Sequence, residues 1–250
     1  MPEAPGTLEG WYVLHDFRRI DWPRWKALPA EERGAAVAEA AEFLEAAEVH
    51  RDAEEGASAL YRIVGHKADF MFLHLRPTVD QLNDLEHAFA RTRLADYTIE
   101  PYSYVSVTEL SLYELQSRGV IERPMEAPFV RARLKPAIPD KRYMTFYPMN
   151  KLRGEQVNWY MLPIEERRMM MKSHGTIGHK YAGEVQQMIS GSVGLDDWEW
   201  GVTLFAHDPL PFKKLVYEMR FDEASARFAQ FGPFFLGARV SPGELSGLLG

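Results

Sequence analysis

The order of the predicted strands and helices limits the possible folds of this chain more than any single motif does. In the first half, apolar alternation predicts strands at residues 7–17, 57–64, 68–75 and 98–110, and amphipathic patterns predict helices at 30–54 and 79–91. The resulting order of strand, helix, strand, strand, helix, strand is typical of the ferredoxin-like fold.

The second half of the chain repeats this order less cleanly. Strands are predicted at 143–148, 189–193, 198–206 and 233–240, and helical segments at 164–174, 182–188 and 209–229. We therefore predict an α+β fold in which two tandem ferredoxin-like halves, residues 1–116 and 140–250, place their sheets face to face and form a dimeric α+β barrel. Residues 117–139 contain four prolines and are predicted to be a linker loop, either a plain connector or a functional loop.

The composition excludes several classes of function. The chain has 250 residues, 46% of them hydrophobic, with a formal net charge of -7 and no basic stripe, which argues against nucleic acid as a partner. Its lack of cysteine excludes disulfides, iron–sulfur clusters and thiolate-ligated haem. No signal peptide or apolar run long enough for a membrane helix is found, so a cytoplasmic location is expected.

A tyrosine and a lysine lie four residues apart in the segment Tyr147-Pro148-Met149-Asn150-Lys151. On a continuous strand the two side chains are expected to face opposite sides. Pro148 is expected to end or bend the strand, so that Tyr147 and Lys151 converge on one pocket. A tyrosine beside an oxidant can form a radical, and an ammonium group can hold a carboxylate. The simpler interpretation is a tyrosine at a strand end and a solvated lysine.

His174 follows a methionine-rich helical segment that includes Met170 and Met171. Residues three and four positions apart share one helix face, so His174 is expected on an apolar face at the end of this helix. Such a histidine is more often a core residue than a ligand, although imidazole is a common haem ligand. Glu184 is a candidate hydrogen-bond partner for the far ring nitrogen of His174.

Two arginines lie in the predicted linker. An extended segment would point Arg131 and Arg133 to opposite sides. Solvated side chains are the simplest interpretation, and a guanidinium group that binds a carboxylate through two hydrogen bonds is the functional one.

Four motifs together resemble the coproheme decarboxylases of the chlorite-dismutase superfamily, from its Gram-positive branch. The motifs are Tyr147-Pro148-Met149-Asn150-Lys151, Trp159-Tyr160-Met161-Leu162-Pro163, Lys172-Ser173-His174-Gly175 and Glu184-Val185-Gln186-Gln187-Met188. The resemblance extends from Gly10 to Arg239. It implies that His174 is the axial ligand of the haem iron, that Tyr147 is the reactive tyrosine and that Lys151 is its essential neighbour. It also implies pocket or propionate contacts for Arg133, Tyr113, Met149 and Ser225. Gln187 would lie over the open face of the iron, where chlorite dismutases carry arginine.

The resemblance implies a reaction as well as a site. The substrate would be iron coproporphyrin III (coproheme), which also acts as redox cofactor. With hydrogen peroxide, two of its propionates would become vinyl groups through a three-propionate intermediate and a tyrosyl radical at Tyr147, giving haem b. A homopentamer and transient contact with a coproporphyrin ferrochelatase are further expectations. The alternatives are a chlorite dismutase or haem peroxidase, and a non-enzymatic haem carrier or sensor.

Overall fold

A computed structural model describes residues 4–112 and 124–250. The strands are β1 (Thr7–Ile20), β2 (Ala57–Val64), β3 (Phe70–Arg76), β4 (Thr98–Ser111), β5 (Tyr143–Lys151), β6 (Gln186–Gly191), β7 (Trp200–Ala206), β8 (Ala229–Phe231) and β9 (Phe235–Val240). The α-helices are α1 (Trp22–Ala27), α2 (Ala30–Glu48), α3 (Val79–Ala90), α4 (Pro128–Leu134), α5 (Ile164–Lys180), α6 (Leu210–Met219), α7 (Glu223–Phe228) and α8 (Leu245–Leu249).

The strands form one closed antiparallel sheet. Their order is β7-β6-β4-β1-β3-β2-β9-β5-β8, and a further pairing between β5 and β7 closes the ring. Strands of the first half take the order β4-β1-β3-β2, and strands of the second half take the equivalent order β9-β5-β7-β6. The halves join through the β4–β6 and β2–β9 pairs. The predicted α+β barrel class is thereby confirmed, whereas the proposed boundaries at 116 and 140 remain a prediction.

The interior of the ring is an apolar and aromatic core. It receives residues from every strand of the ring, among them Val13, Ala59, Leu73, Tyr104, Phe146, Met188, Phe205 and Phe235. A buried polar contact of 2.8 Å inside it joins His15 Nε2 to Thr203 Oγ1. Because side chains alternate along a strand, the other face of each strand points outward, towards the helices.

The helices cover the outside of the ring. In the first half, α2 packs on β2, and α3 packs on β1 and β3. In the second half, the principal contacts of α5 are with α6 and α7 rather than with a strand. An outer apolar cluster that contains Tyr147, Val185, Leu204, Phe212 and Leu215 lies on this side of the sheet.

Two local predictions of secondary structure are wrong. Residues 182–188 were expected to be helical, but they form a turn that leads into β6. The strand forms because it pairs with β7 on one side and β4 on the other, and such tertiary pairing overrides weak helical preference. The helix predicted to end at residue 174 continues to Lys180, so His174 lies within α5 rather than at its end.

The expected linker loop also contains a helix, α4. Pro128 occupies its first position, where proline lacks only a donor that would be unpaired anyway. The end of α4 touches β1 at Gly10, where a β-carbon would overlap the carbonyl oxygen of Leu134. Thr108 Oγ1 donates a hydrogen bond of 2.6 Å to that same oxygen. Glycine at position 10 therefore permits the close approach that anchors α4 on the barrel.

None of the helices in the two described ranges is long and apolar enough to cross a lipid bilayer.

Candidate functional site

Strand β5 carries the tyrosine and the lysine of the first motif. It continues through Pro148 to Lys151, so the expected end or bend at the proline is wrong. No bend is needed, because side chains four residues apart on a strand already share a face. Tyr147 and Met149 belong to the outer cluster, and the preceding residue Phe146 points into the barrel core.

Tyr147 lies in an aromatic environment on this outer face. Its ring stacks on Phe234 at 4.4 Å and lies 5.8 Å from Phe231. Burial raises the pKa of the Tyr147 phenol above its ordinary value, and the positive charge of Arg220 only partly opposes this. The hydroxyl group forms no hydrogen bond with any residue that the structure describes. Tyr147 is therefore a neutral phenol that can interact with a bound molecule.

Lys151 is buried at the end of the same strand, with 7% of its surface exposed. Its Nζ donates a hydrogen bond of 3.0 Å to the carbonyl oxygen of Ala224 and lies 4.5 Å from the ring centre of Trp159. Burial lowers the pKa of Lys151 to about 8, although the negative charges of Asp222 and Glu199 act in the opposite direction. The side chain is thus a partly desolvated cation at neutral pH.

His174 is held by a carboxylate. Its Nδ1 lies 2.9 Å from Oδ2 of Asp222, and Oγ of Ser225 lies 3.5 Å from the same nitrogen. A carboxylate accepts hydrogen bonds, so this contact assigns Nδ1 as the donor and leaves Nε2 as the ring nitrogen available to a ligand. The prediction that Glu184 is the hydrogen-bond partner of His174 is wrong. Glu184 is exposed in the turn after α5, and Asp222 is the residue that contacts Nδ1 of His174.

Asp222 places three groups of the site in one short turn. It caps the start of α7, where its Oδ2 accepts a hydrogen bond of 3.3 Å from the backbone N–H of Ser225. Ala224, which accepts the hydrogen bond from Lys151, belongs to the same turn. The first turn of α7 therefore brings together Lys151, His174 and Ser225.

Gln187 lies on the outer face of β6 and points towards α5. A β-carbon placed on Gly178, one helical turn beyond His174, would lie 3.5 Å from Nε2 of Gln187 and 3.5 Å from Cε of Met219. The glycine thus allows the amide of Gln187 to reach the helix that carries His174.

Arg133, which the resemblance predicts to contact the substrate, lies on helix α4. The helix replaces the expected alternation of an extended segment, with Arg131 exposed and Arg133 half-buried. The Nε of Arg133 is buried and has no hydrogen-bond partner among the residues that the structure describes. No contact links Arg133 to Tyr147, Lys151 or His174 within the described ranges, and Tyr113 lies outside these ranges.

A cavity of about 400 Å³ borders this region between α6 and strands β5 and β9. Its walls are largely apolar, and Lys213 and Arg220 contribute positive charge. Phe234 lines the cavity and also stacks on Tyr147.

These residues fit an iron porphyrin with carboxylate side chains. His174 offers an imidazole whose Nδ1 is already held by Asp222, which is the usual arrangement of a haem ligand. The buried ammonium of Lys151 supplies a donor for a carboxylate. Apolar and aromatic side chains around Tyr147 would contact a flat macrocycle.

Sequence comparison identifies the family. A family profile described as chlorite dismutase matches residues 33–240. The chain belongs to the chlorite dismutase family.

Two curated proteins are similar to this chain over nearly its whole length. They come from Natronomonas pharaonis and Haloquadratum walsbyi, and each is named as a putative heme-binding protein. Each is 50% identical to this chain, and the matches cover 98% and 100% of this chain, respectively. The chain spans 42% and 48% of their lengths, about half of each curated relative.

Two solved structures are similar to this chain over nearly its whole length. A protein from Thermus thermophilus, described as a novel heme-binding protein, superposes with a TM-score of 0.92 at 49% identity, covering 100% of this chain and 98% of that chain. A mutant chlorite dismutase from Candidatus Nitrospira defluvii superposes with a TM-score of 0.77 at 21% identity, covering 96% of this chain and 95% of that one. The second comparison shows the fold alone.

Sequence reasoning missed Asp222, which this member of the chlorite dismutase family places against His174. The signal available was local, because an aspartate three residues before a serine at a helix start is typical of an N-cap. That pattern predicts the cap but not the histidine, which lies 48 residues away in the sequence.

Proposed function

We propose that this chain binds haem and, more specifically, that it is a coproheme decarboxylase. Haem binding is supported by the names of the two halophilic relatives and of the Thermus thermophilus protein. The decarboxylase activity is supported by the motifs that resemble that branch and by the arrangement of their residues. The observation that carries it is the shared outer face of Tyr147 and Lys151, next to the turn that holds His174.

The reaction balances with one hydrogen peroxide for each propionate. The side chain loses carbon dioxide, one proton and two electrons as its two-carbon remainder becomes a vinyl group. Peroxide takes up these two electrons, the proton from the side chain and one proton from solvent, and gives two molecules of water. When bound, the iron porphyrin supplies activation of the peroxide. Two such rounds convert coproheme into haem b through a three-propionate intermediate.

The protein residues have distinct proposed roles. His174 would bind the iron through Nε2, and Gln187 would face the opposite side of the porphyrin. Tyr147 would lose its phenolic hydrogen atom and, as a radical, take a hydrogen atom from the β-carbon of the reacting propionate. Lys151 would pair with the carboxylate of that propionate.

The remaining residues would position the substrate. Arg133 and Ser225 are proposed to hold propionates that are kept, together with Tyr113. Met149 is proposed to line the pocket, and it lies half-buried on the same face of β5 as Tyr147. After the first round, the three-propionate intermediate must present its second reactive side chain to Tyr147.

The decisive experiment uses substrate loading without oxygen. The protein is loaded with ferric coproporphyrin III, titrated with hydrogen peroxide, and the extracted porphyrin is analysed by mass spectrometry. We expect stepwise loss of two carboxyl groups through a three-propionate species. Unchanged or merely bleached coproheme would rule out the decarboxylase.

Two other functions have specific support. A haem carrier or sensor agrees with relatives that are named only for heme binding. It predicts porphyrin that stays inert to peroxide but transfers to an acceptor apoprotein. A chlorite dismutase or haem peroxidase agrees with the name of the family profile, and it predicts oxygen release from chlorite. Gln187 opposes it, because the resemblance places arginine there in chlorite dismutases.

The assembly and partners are also proposals. The resemblance implies a homopentamer, which sedimentation or native mass spectrometry would test. It also implies transient contact with a ferrochelatase that delivers coproheme.

A further inference from the structure

The helices of the two halves leave part of the outer sheet face uncovered. In the first half, α2 and α8 pack over Leu60 of β2 and Val240 of β9. In the second half, α6 packs on β7 and on the apolar cluster that includes Leu236. Arg62 and Val64 follow Leu60 on the outer face of β2, and both are exposed. A trough therefore runs along the sheet between the two helical layers.

Two cavities lie in line along this trough. Leu236 lines the cavity of about 400 Å³ beside α6, and Ala238 lines a second cavity of about 390 Å³. These residues are two positions apart on β9, so their side chains share one face and lie about 7 Å apart. Arg62 pairs with Ala238 and Val64 with Leu236, which extends the floor of the trough onto β2. The trough thus leads from the second cavity to Phe234, which lines the first cavity and stacks on the proposed reactive tyrosine.

The second cavity carries positive charge. Arg62, Arg142 and Arg239 line it, opposed by the carboxylate of Glu244. Arg239 lies 3.7 Å from the exposed carboxylate of Asp140. Arg142 donates one hydrogen bond of 2.8 Å to the carbonyl oxygen of Arg239. Neither Arg62 nor Arg142 forms an ion pair within the described parts of the chain, so their guanidinium groups are available to an anion.

The first cavity continues this positive charge towards the proposed substrate site. Lys213 and Arg220 line it, and the guanidinium group of Arg220 lies 3.8 Å from the ring centre of Phe231. At the same end of the trough, Lys67 Nζ donates a hydrogen bond of 2.7 Å to the carbonyl oxygen of Phe234. The trough thus combines cations with an apolar floor, on a chain whose formal net charge is -7. A local positive region of this kind concentrates anions at one place on the surface.

We propose that this trough captures the anionic porphyrin from solution and guides it to the site beside Tyr147. The inference rests on the proposed function for the identity of the ligand, coproheme, whose four propionates carry negative charge. The propionates pair with Arg62 and Arg142 first and with Lys213 afterwards, while the macrocycle lies on the apolar floor. Such electrostatic guidance raises the rate of association more than the affinity at equilibrium.

The test is the rate at which ferric coproporphyrin III binds to the apoprotein. It is measured by stopped-flow absorption at low ionic strength and without peroxide. Arg62→Gln combined with Arg142→Gln is expected to lower the association rate constant by about three- to ten-fold and to leave the dissociation rate constant unchanged. The difference should shrink as salt is added, because exposed charges are then screened. Haem b, which has two carboxylates instead of four, should show a smaller reduction.

Matched variants separate the trough from the effect of net charge. Arg24→Gln combined with Arg91→Gln removes two exposed arginines from α1 and from the end of α3, and it should leave the association rate unchanged. Val64→Glu places a carboxylate on the floor of the trough and should slow association. Val79→Glu adds the same charge at an exposed position of α3 and should not.

The outcomes distinguish this inference from the proposed function. Equal slowing by the two arginine pairs would overturn the capture role, because only net charge would then matter. Normal decarboxylation with an association rate that does not depend on Arg62 and Arg142 would refute the capture role alone. Slowing confined to the trough variants, in a protein that leaves coproheme intact when peroxide is added, would support the capture role and refute the decarboxylase. Failure to bind coproheme would overturn both.

Discussion

The buried ammonium of Lys151 should make the apoprotein less stable than it would be with a neutral side chain. We consider Lys151→Met, because methionine has a similar length and shape but carries no charge. The fall of the Lys151 pKa from 10.5 to about 8 corresponds to about 3 kcal/mol against burying the charged amine.

Two favourable contacts offset part of this cost. The hydrogen bond to Ala224 contributes about 1 kcal/mol, and the contact with the Trp159 ring contributes about 0.5–1 kcal/mol. We therefore expect Lys151→Met to raise the free energy of unfolding at pH 7 by about 1–2 kcal/mol. Active sites often contain groups that are needed for activity but destabilise the folded protein, so replacing such a group can increase stability.

The pH dependence gives the sharper prediction. The folded-state pKa lies below the unfolded one, so between about pH 8 and 10.5 the unfolded chain binds more protons than the folded protein. The penalty is fully present below about pH 8 and is relieved as the pH rises. The stability advantage of Lys151→Met should therefore shrink by about 2 kcal/mol between pH 7 and pH 10.

The assay is unfolding of the apoprotein by urea, monitored by circular dichroism. Fluorescence is not used as the signal, because the fluorescence of Trp159 would respond to the substitution itself. Only the difference between variant and unmodified protein is used, so other titrating groups cancel. Lys214→Met, at an exposed position on α6, should show no pH-dependent difference. A difference for Lys151→Met that stays constant from pH 7 to pH 10 would refute the reasoning.

Three further predictions test the site and the scaffold. Tyr147→Phe should still bind coproheme but lose both decarboxylations, as followed by porphyrin mass, whereas Tyr143→Phe on the same strand face should retain them. His174→Ala should weaken coproheme binding and alter its absorption spectrum, and added imidazole should restore the spectrum; a variant indistinguishable from the parent would remove the ligand assignment. Gly10→Ala should lower the free energy of unfolding by about 2–3 kcal/mol, because its β-carbon overlaps backbone of α4. Gly34→Ala, in open space on helix α2, should instead raise it by about 0.5–1 kcal/mol, and similar effects for the two glycines would contradict this account.

The local pattern of the sequence was sufficient for much of the scaffold. Apolar alternation and helical periodicity depend on neighbouring residues, so the strands and the two longer helices of the first half could be predicted. The short helix α1 was not predicted, and α2 ends at Glu48 rather than at residue 54. The same patterns predicted α5 and the strands β5, β7 and β9. Their order was enough to predict the barrel class, because a ferredoxin-like half has a fixed strand order.

Contacts between distant residues required the tertiary structure. Residues 182–188 carry weak local signals, and pairing with β4 and β7 decides that β6 forms there. The prolines of the predicted linker were taken as signs of a loop, whereas Pro128 begins helix α4. In both segments the local preference was too weak to exclude the other state.

The sequence by itself determined which residue types are available for chemistry, and the tertiary structure decided which of them meet. The sequence motif around Tyr147 and Lys151 was sufficient to predict that their side chains share one pocket. The two-residue repeat of a strand places both side chains on one face. Asp222 could be predicted only as a helix cap, since its contact with His174 depends on how α5 packs against α6 and α7. The contact of Lys151 with Ala224 likewise joins a strand to a helix 73 residues later. Packing of this kind is set by the whole core, and no pattern confined to a few neighbouring residues encodes it.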